Sequence, residues 1–127
     1  MSELIVDTSV WIDFFSGKTL PELEQALKDG RVLLSPIVRA ELLSGTMTTA
    51  KEKQLVDFLE DLNFHETTEA HWTAVGRARR LFREKGLRVS VPDAHVAQCA
   101  LETNGLLYSF DTIFSKIAQI VPIRILK

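Results

Sequence analysis

Apolar positions along this chain follow two alternating rhythms. Short unbroken runs, Leu4-Ile5-Val6, Val32-Leu33-Leu34 and Leu106-Leu107-Tyr108, sit between longer stretches where apolar residues recur every three or four positions. The runs have the length of buried strands and the stretches have the period of helices. The pattern predicts strands over 3–6, 32–34, from Phe64 onward, 106–109 and 120–126. It predicts helices over 9–15, 21–28, 37–43, 50–62, 69–85, 92–103 and 113–118. Local signals support these bounds. Pro21 and Pro36 suit first helical positions, Ser35 suits an N-cap, and Gly17, Gly30, Gly86 and Asn104-Gly105 stand at helix ends. On the longest helix, Trp72, Val75, Ala78 and Phe82 are expected to face inward.

Strands separated by helices imply an α/β fold, a parallel sheet with helices on both faces. Right-handed crossovers place the carboxyl ends of all strands on one edge, and sites form there where the strand order reverses. With no internal repeat, linker or low-complexity stretch, residues 1–127 read as a single domain.

Four acids lie at the ends of apolar segments: Asp7 after Leu4-Ile5-Val6, Glu41 within Ile37–Leu43, Asp93 after Val91-Pro92, and Asp111 after Leu106–Phe110. Each has an ordinary reading by itself. Asp7 and Asp111 could cap the helices that follow, and Asp93 could sit favourably against a helix amino terminus. Glu41 has Ile37, Val38 and Ser44 as helical neighbours, so it is expected in partly apolar surroundings. The conjunction weighs more. Two carboxylates ~4 Å apart repel by about 4 kcal/mol at an effective dielectric near 20. A converging set therefore needs protons or cations, and Mg²⁺ or Mn²⁺ suits an all-oxygen donor set.

Composition narrows the alternatives. Apolar content of 46% and charged content of 25% are ordinary for a soluble domain. No apolar run approaches the ~18–20 residues of a membrane span, the start lacks a secretory signal, and the one cysteine, Cys99, suits buried packing in a reducing compartment. A cytoplasmic location is expected. The net charge of −2 gives no global sign of nucleic-acid binding, but Arg77, Arg79, Arg80, Arg83, Lys85 and Arg88 face a single nearby acid, Glu84. Arg77, Arg80 and Arg83 are candidates for phosphate contacts, against the reading of a solvated helix face. His65, His71 and His95 are dispersed; His95 reads as structural, two residues from Asp93 at the rim of the acidic pocket. There is no Gly-rich phosphate loop and no Gly-x-Ser-x-Gly elbow.

Four segments now carry a resemblance. Ile5-Val6-Asp7-Thr8-Ser9-Val10-Trp11-Ile12, Ser35–Leu43 around Glu41, Val89–Ala97 around Asp93, and Leu107–Phe114 around Asp111 resemble, in order, the four motifs of PIN-domain ribonucleases. The compact length is most similar to the VapC toxins of toxin–antitoxin pairs. That resemblance implies a three-layer α/β/α sandwich with sheet order 3-2-1-4-5, a homodimer, dependence on Mg²⁺ or Mn²⁺, and endonucleolytic cleavage of RNA. It implies a VapB antitoxin whose carboxyl-terminal segment wraps the toxin and often brings an arginine to the acidic site. Carried over by motif, Asp7, Glu41, Asp93 and Asp111 are the catalytic, metal-binding acids, and Thr8 and Ser109 support them by hydrogen bonds. Phe110 departs from the polar residue common before the last acid. The aromatic surface of Trp11, Phe14 and Phe15 is expected either to pack in the core or to receive part of the antitoxin. Two other readings stand beside this one. A phospho-acceptor receiver domain would need adjacent acids after the first strand, where Asp7 stands alone. A catalytically inactive PIN fold would serve RNA or protein binding only.

Overall fold

Every residue of the first two strands, β1 (Leu4–Val6) and β2 (Val32–Leu34), is buried. A strand buried along its whole length has both faces covered, so the sheet is the middle layer of an α/β/α sandwich. The computed structural model describes residues 2–127. Three more strands complete the sheet: β3 (Asn63–Phe64), β4 (Leu106–Tyr108) and β5 (Arg124–Ile125). All neighbours pair in parallel, in the order β3-β2-β1-β4-β5. This is the order the resemblance implied. It differs from the 2-1-3-4-5 order of receiver-type sheets, which removes that alternative.

Seven helices connect the strands: α1 (Thr8–Phe15), α2 (Pro21–Lys28), α3 (Pro36–Leu43), α4 (Thr49–Glu60), α5 (Glu69–Glu84), α6 (Val91–Thr103) and α7 (Ile113–Ile117). Four of them begin on a hydroxyl that accepts a backbone N–H: Ser35 from Val38, Thr48 from Lys51, Thr68 from His71 and Ser90 from Asp93, each at 3.2 Å. Each such cap contributes roughly 1 kcal/mol and fixes where its helix starts. α5 packs along α6, and α6 in turn lies against β1 and β4.

Two expectations are corrected. The last strand was expected over 120–126 but spans only Arg124–Ile125. The amides of Ile120 and Val121 bond back to Ile117, and Pro122 has no amide to offer a ladder. On α5, the inward face is His71, Val75 and Phe82, with Ala78 partly buried, while Trp72 keeps 37% of its surface exposed. Trp72 lies a helical step off that stripe. It lays one ring face on His95, centroids 4.8 Å apart and 8° from parallel, and its Nε1 donates to Thr67.

Gly105 explains how α6 can run directly into β4. A methyl group there would lie 2.3 Å from Ile5 Cδ1 and 2.9 Å from the Glu3 carbonyl oxygen. That same carbonyl accepts the Leu106 amide at 2.9 Å, so β1 and β4 are close because position 105 has no side chain. Replacing Gly105 with Ala should cost about 1–3 kcal/mol through overpacking. Urea unfolding measures this, and a midpoint equal to the parent's would show that the β1–β4 approach is looser than described.

Candidate functional site

The strand order reverses between β1 and β4, and that junction opens at their carboxyl ends. Val6 pairs with Tyr108 as the last matched position, and the Asp7 amide donates to the Tyr108 carbonyl at 2.9 Å. One step further, Asp7 and Ser109 stand side by side. Ser109 Oγ donates to Asp7 Oδ2 at 2.8 Å, and Ser9 Oγ donates to the same oxygen at 3.0 Å. Asp7 is 8% exposed, so these two hydroxyls replace the water a buried carboxylate would otherwise lose. Its carboxylate makes no cap to α1.

The other acids arrive from three further elements. Glu41, on α3, accepts from Thr8 Oγ1 at 2.8 Å, which ties α3 to the start of α1. Glu41 is exposed, not set in apolar surroundings, because it lies at the edge of the face of α3 that buries Val38 and Leu42. Asp93 sits half-buried in the first turn of α6, and Asp111 follows β4. Asp111 Oδ1 accepts the Ile113 amide at 3.0 Å, and the Asp111 amide donates to Ser109 Oγ at 3.0 Å. One hydroxyl, that of Ser109, thus serves two of the four acids.

Hydrogen bonds tie three of the acids to the β1–β4 junction: Asp7 and Asp111 through Ser109, and Glu41 through Thr8, the residue after Asp7. Burial pushes the Asp93 carboxyl above its ordinary range, and a hydrogen bond with Ser90 pulls it back. The negative charges of Asp111, Asp7 and Glu41 then push it up again. Three like charges acting on a fourth from separate elements are the donor chemistry of a hard divalent cation, which prefers carboxylate oxygens. The residues present fit that group: with Asp7 Oδ2 held by two hydroxyls, Oδ1 remains for a cation.

Sequence reasoning missed Ser9. It bonds Asp7, lies 3.4 Å from Ser109 Oγ, and accepts the Phe110 amide at 3.1 Å. It also missed that the three histidines converge. His65 Nε2 and His71 Nδ1 reach Glu102 at 2.8 and 2.9 Å, His71 Nε2 meets His95 Nδ1 at 2.7 Å, and Cys99 Sγ lies 3.6 Å from His95 Nε2. Burial alone would raise the Glu102 carboxyl, but hydrogen bonds from His65, His71 and Gln98 outweigh it and hold the group below its usual range. Burial, with help from His71 and His65, lowers His95 to about 4, and burial pushes the Cys99 thiol up to about 12. Donor atoms of His65, His71 and Cys99 come within 4.8 Å of one another. Both ring nitrogens of His71 and of His95 already have partners, so this cluster clamps α5 to α6. His95 is therefore structural, fully buried and not at a rim.

Of the basic candidates, Arg77, Arg80 and Arg83 are all exposed on α5. Arg83 lines a cavity of about 450 Å³, together with Arg79, Leu87, Arg88, Val89 and Ser90, and Arg77 and Arg80 are not among its lining residues. The aromatic trio divides as well. Trp11 is fully buried, Phe14 partly so, and Phe15 is 45% exposed. Phe15 stacks on Trp11, and with Ile12, Leu42, Met47, Leu55 and Phe58 it lines an open groove of about 660 Å³.

Comparison with known proteins adds three findings. Residues 4–120 match the PIN domain family. No curated protein matches the sequence. Among solved structures, the fold resembles that in DNA-bound VapBC from Salmonella typhimurium, with TM-score 0.82 and 21% identity over 99% of this chain and 98% of that one. It also resembles VapBC2 from Rickettsia felis bound to a promoter DNA fragment, with TM-score 0.75 and 20% identity over 97% and 96%. VapBC-5 from Mycobacterium tuberculosis gives TM-score 0.74 and 22% identity over 100% and 99%. At such identities the likeness is one of fold.

Removing the shared hydroxyl tests the geometry. Ser109→Ala leaves buried Asp7 with one hydroxyl donor and the Asp111 amide without its acceptor. It should cost about 1–3 kcal/mol in denaturant unfolding with chelator present. A change under about 0.5 kcal/mol, the size of an ordinary surface substitution, would mean that water replaces the hydroxyl freely.

Proposed function

The chain belongs to the PIN domain family, and from that premise we propose that it is a VapC-type toxin, an endoribonuclease dependent on Mg²⁺ or Mn²⁺. The observation that carries the reading is the placement of acids around the β1–β4 junction, Asp7 and Asp111 sharing the Ser109 hydroxyl, Glu41 tied to Thr8, and Asp93 in the first turn of α6. Asp7 and Asp93 would hold the cation, with Glu41 and Asp111 completing its surroundings. Bound there, a divalent cation supplies Lewis acidity, which eases ionisation of water and offsets charge on phosphoryl oxygens.

The chain's own residues do the rest. Ser9 and Ser109 fix the Asp7 carboxylate, Thr8 fixes that of Glu41, and the Ser90 cap sets the turn that carries Asp93. Such preorganisation costs no rearrangement during reaction. Water oxygen bonds to phosphorus as the bond to the ribose 3′ oxygen breaks, and that oxygen leaves as a hydroxyl after gaining a proton. The products are a 3′-hydroxyl and a 5′-phosphate. The resemblance to VapBC assemblies supports a protein partner as well. An antitoxin's apolar segment would fill the groove at Ile12 and Phe15, where exposed apolar surface lies beside a buried aromatic cluster. We take the active toxin to be a homodimer in the cytoplasm; among the described residues no helix is long and apolar enough to cross a membrane.

Asp93→Asn tests the metal assignment with two readouts. It should abolish RNA cleavage. In chelator it should be as stable as the parent or more so, by about 1 kcal/mol at most after solvent screening, because one of four like charges is gone. Adding Mn²⁺ should then raise the parent's melting temperature more than the mutant's. Equal responses of both proteins to metal would remove Asp93 from the cation site. A parent that binds metal yet cleaves no RNA would support the inactive, binding-only form of the fold.

A further inference from the structure

The cavity between the end of α5 and the segment 87–90 has an unusual wall. Its polar lining is Arg79, Arg83, Arg88 and Ser90, with no carboxylate among the lining residues. Among the described residues none of these arginines makes a salt bridge, whereas Arg31 is held by Asp29. Arg79 is partly spent: its Nε donates to the Val89 carbonyl at 2.9 Å, which braces the segment and leaves the outer guanidinium nitrogens unassigned. Arg83 and Arg88 are exposed and their donors are free for a ligand. Guanidinium forks in this number match phosphate oxygens.

Position matters as much as charge. Ser90 forms the cavity's edge, and its hydroxyl accepts the amide of Asp93 at 3.2 Å. The cationic cavity and the acidic cluster therefore share a rim at the amino end of α6. Three arginines without a carboxylate partner give the cavity a local positive field that an anion can enter, although the net charge of the chain is −2.

We propose that this cavity is a backbone-phosphate subsite for single-stranded RNA, in which Arg83 and Arg88 grip a phosphate next to the one presented to the acids, with Arg79 as their brace. The inference rests on the nuclease reading for the identity of its ligand, but it concerns binding alone. Arg77 and Arg80 lie outside the cavity and have no part in it. These are phosphate contacts, so they hold the strand without reading bases.

The test is equilibrium binding of short fluorescent single-stranded RNAs in chelator, across a salt series, with the full chain. Each phosphate contact on a single strand contributes a slope of about −0.7 in log K against log salt. R83A/R88A should lower the slope's magnitude by about 0.7, the share of the one phosphate they hold, for every RNA sequence alike, while R77A/R80A leaves it unchanged. Both double variants change exposed residues, and thermal melts check that they fold. Equal losses from the two pairs, or an unchanged slope in R83A/R88A, would overturn the subsite. A parent that binds with the expected slopes but never cleaves under Mg²⁺ or Mn²⁺ would overturn the nuclease reading and leave the subsite standing.

Discussion

Parallel pairing of β1 with β4 sets Val6 opposite Tyr108, and one residue beyond that pair both strands change from apolar to polar chemistry. The remaining site geometry follows from this register. It puts Asp7 against Ser109, lets Ser9 reach across to the Phe110 amide, and starts the turn that carries Asp111. A slip of one residue would turn every side chain of these strands to the opposite face, sending Asp7 away from its two hydroxyls. Gly105 guards the register, since only a residue without a side chain lets the chain leave α6 and meet β1 so closely.

Four negative groups held in one place oppose folding, and the surrounding residues offset that cost locally. Hydroxyls from Ser9, Ser109 and Thr8 stabilise the two carboxylates that would otherwise be least well solvated or least well fixed. Burial is the main cause that pushes the Asp93 carboxyl up, and the negative charges of Asp111, Asp7 and Glu41 add to it. A region that is unfavourable when empty and favourable when filled couples ligand binding to stability.

Much of this was legible in the sequence because it is local. Apolar runs and three- to four-residue periods located every element, and the acids stood out as charges at the ends of apolar segments. The order of the sheet came from the resemblance of four motifs, not from periodicity. What escaped notice depends on contacts across a hundred residues, such as Ser9 with Ser109, or across α5 and α6, such as His71 with His95. No window along the chain contains both partners. Trp72 misled for a related reason: hydrophobicity ranks it above His71, but the helix phase buries His71, where Glu102 and His95 satisfy its ring.

The histidine ladder has a bearing on which metals the acidic cluster can recruit. His95 is two residues from Asp93, and an imidazole that near a carboxylate site would normally draw zinc, copper or nickel in preference to magnesium. Here one nitrogen of His95 is tied to His71 and the other faces Cys99, while Trp72 covers the ring. The sole thiol is locked on the same side, fully buried and kept protonated. Both nitrogens of His95 are thus occupied elsewhere. In the proposed metal site, a preference for hard cations would then come from withholding nitrogen and sulfur as much as from supplying oxygen.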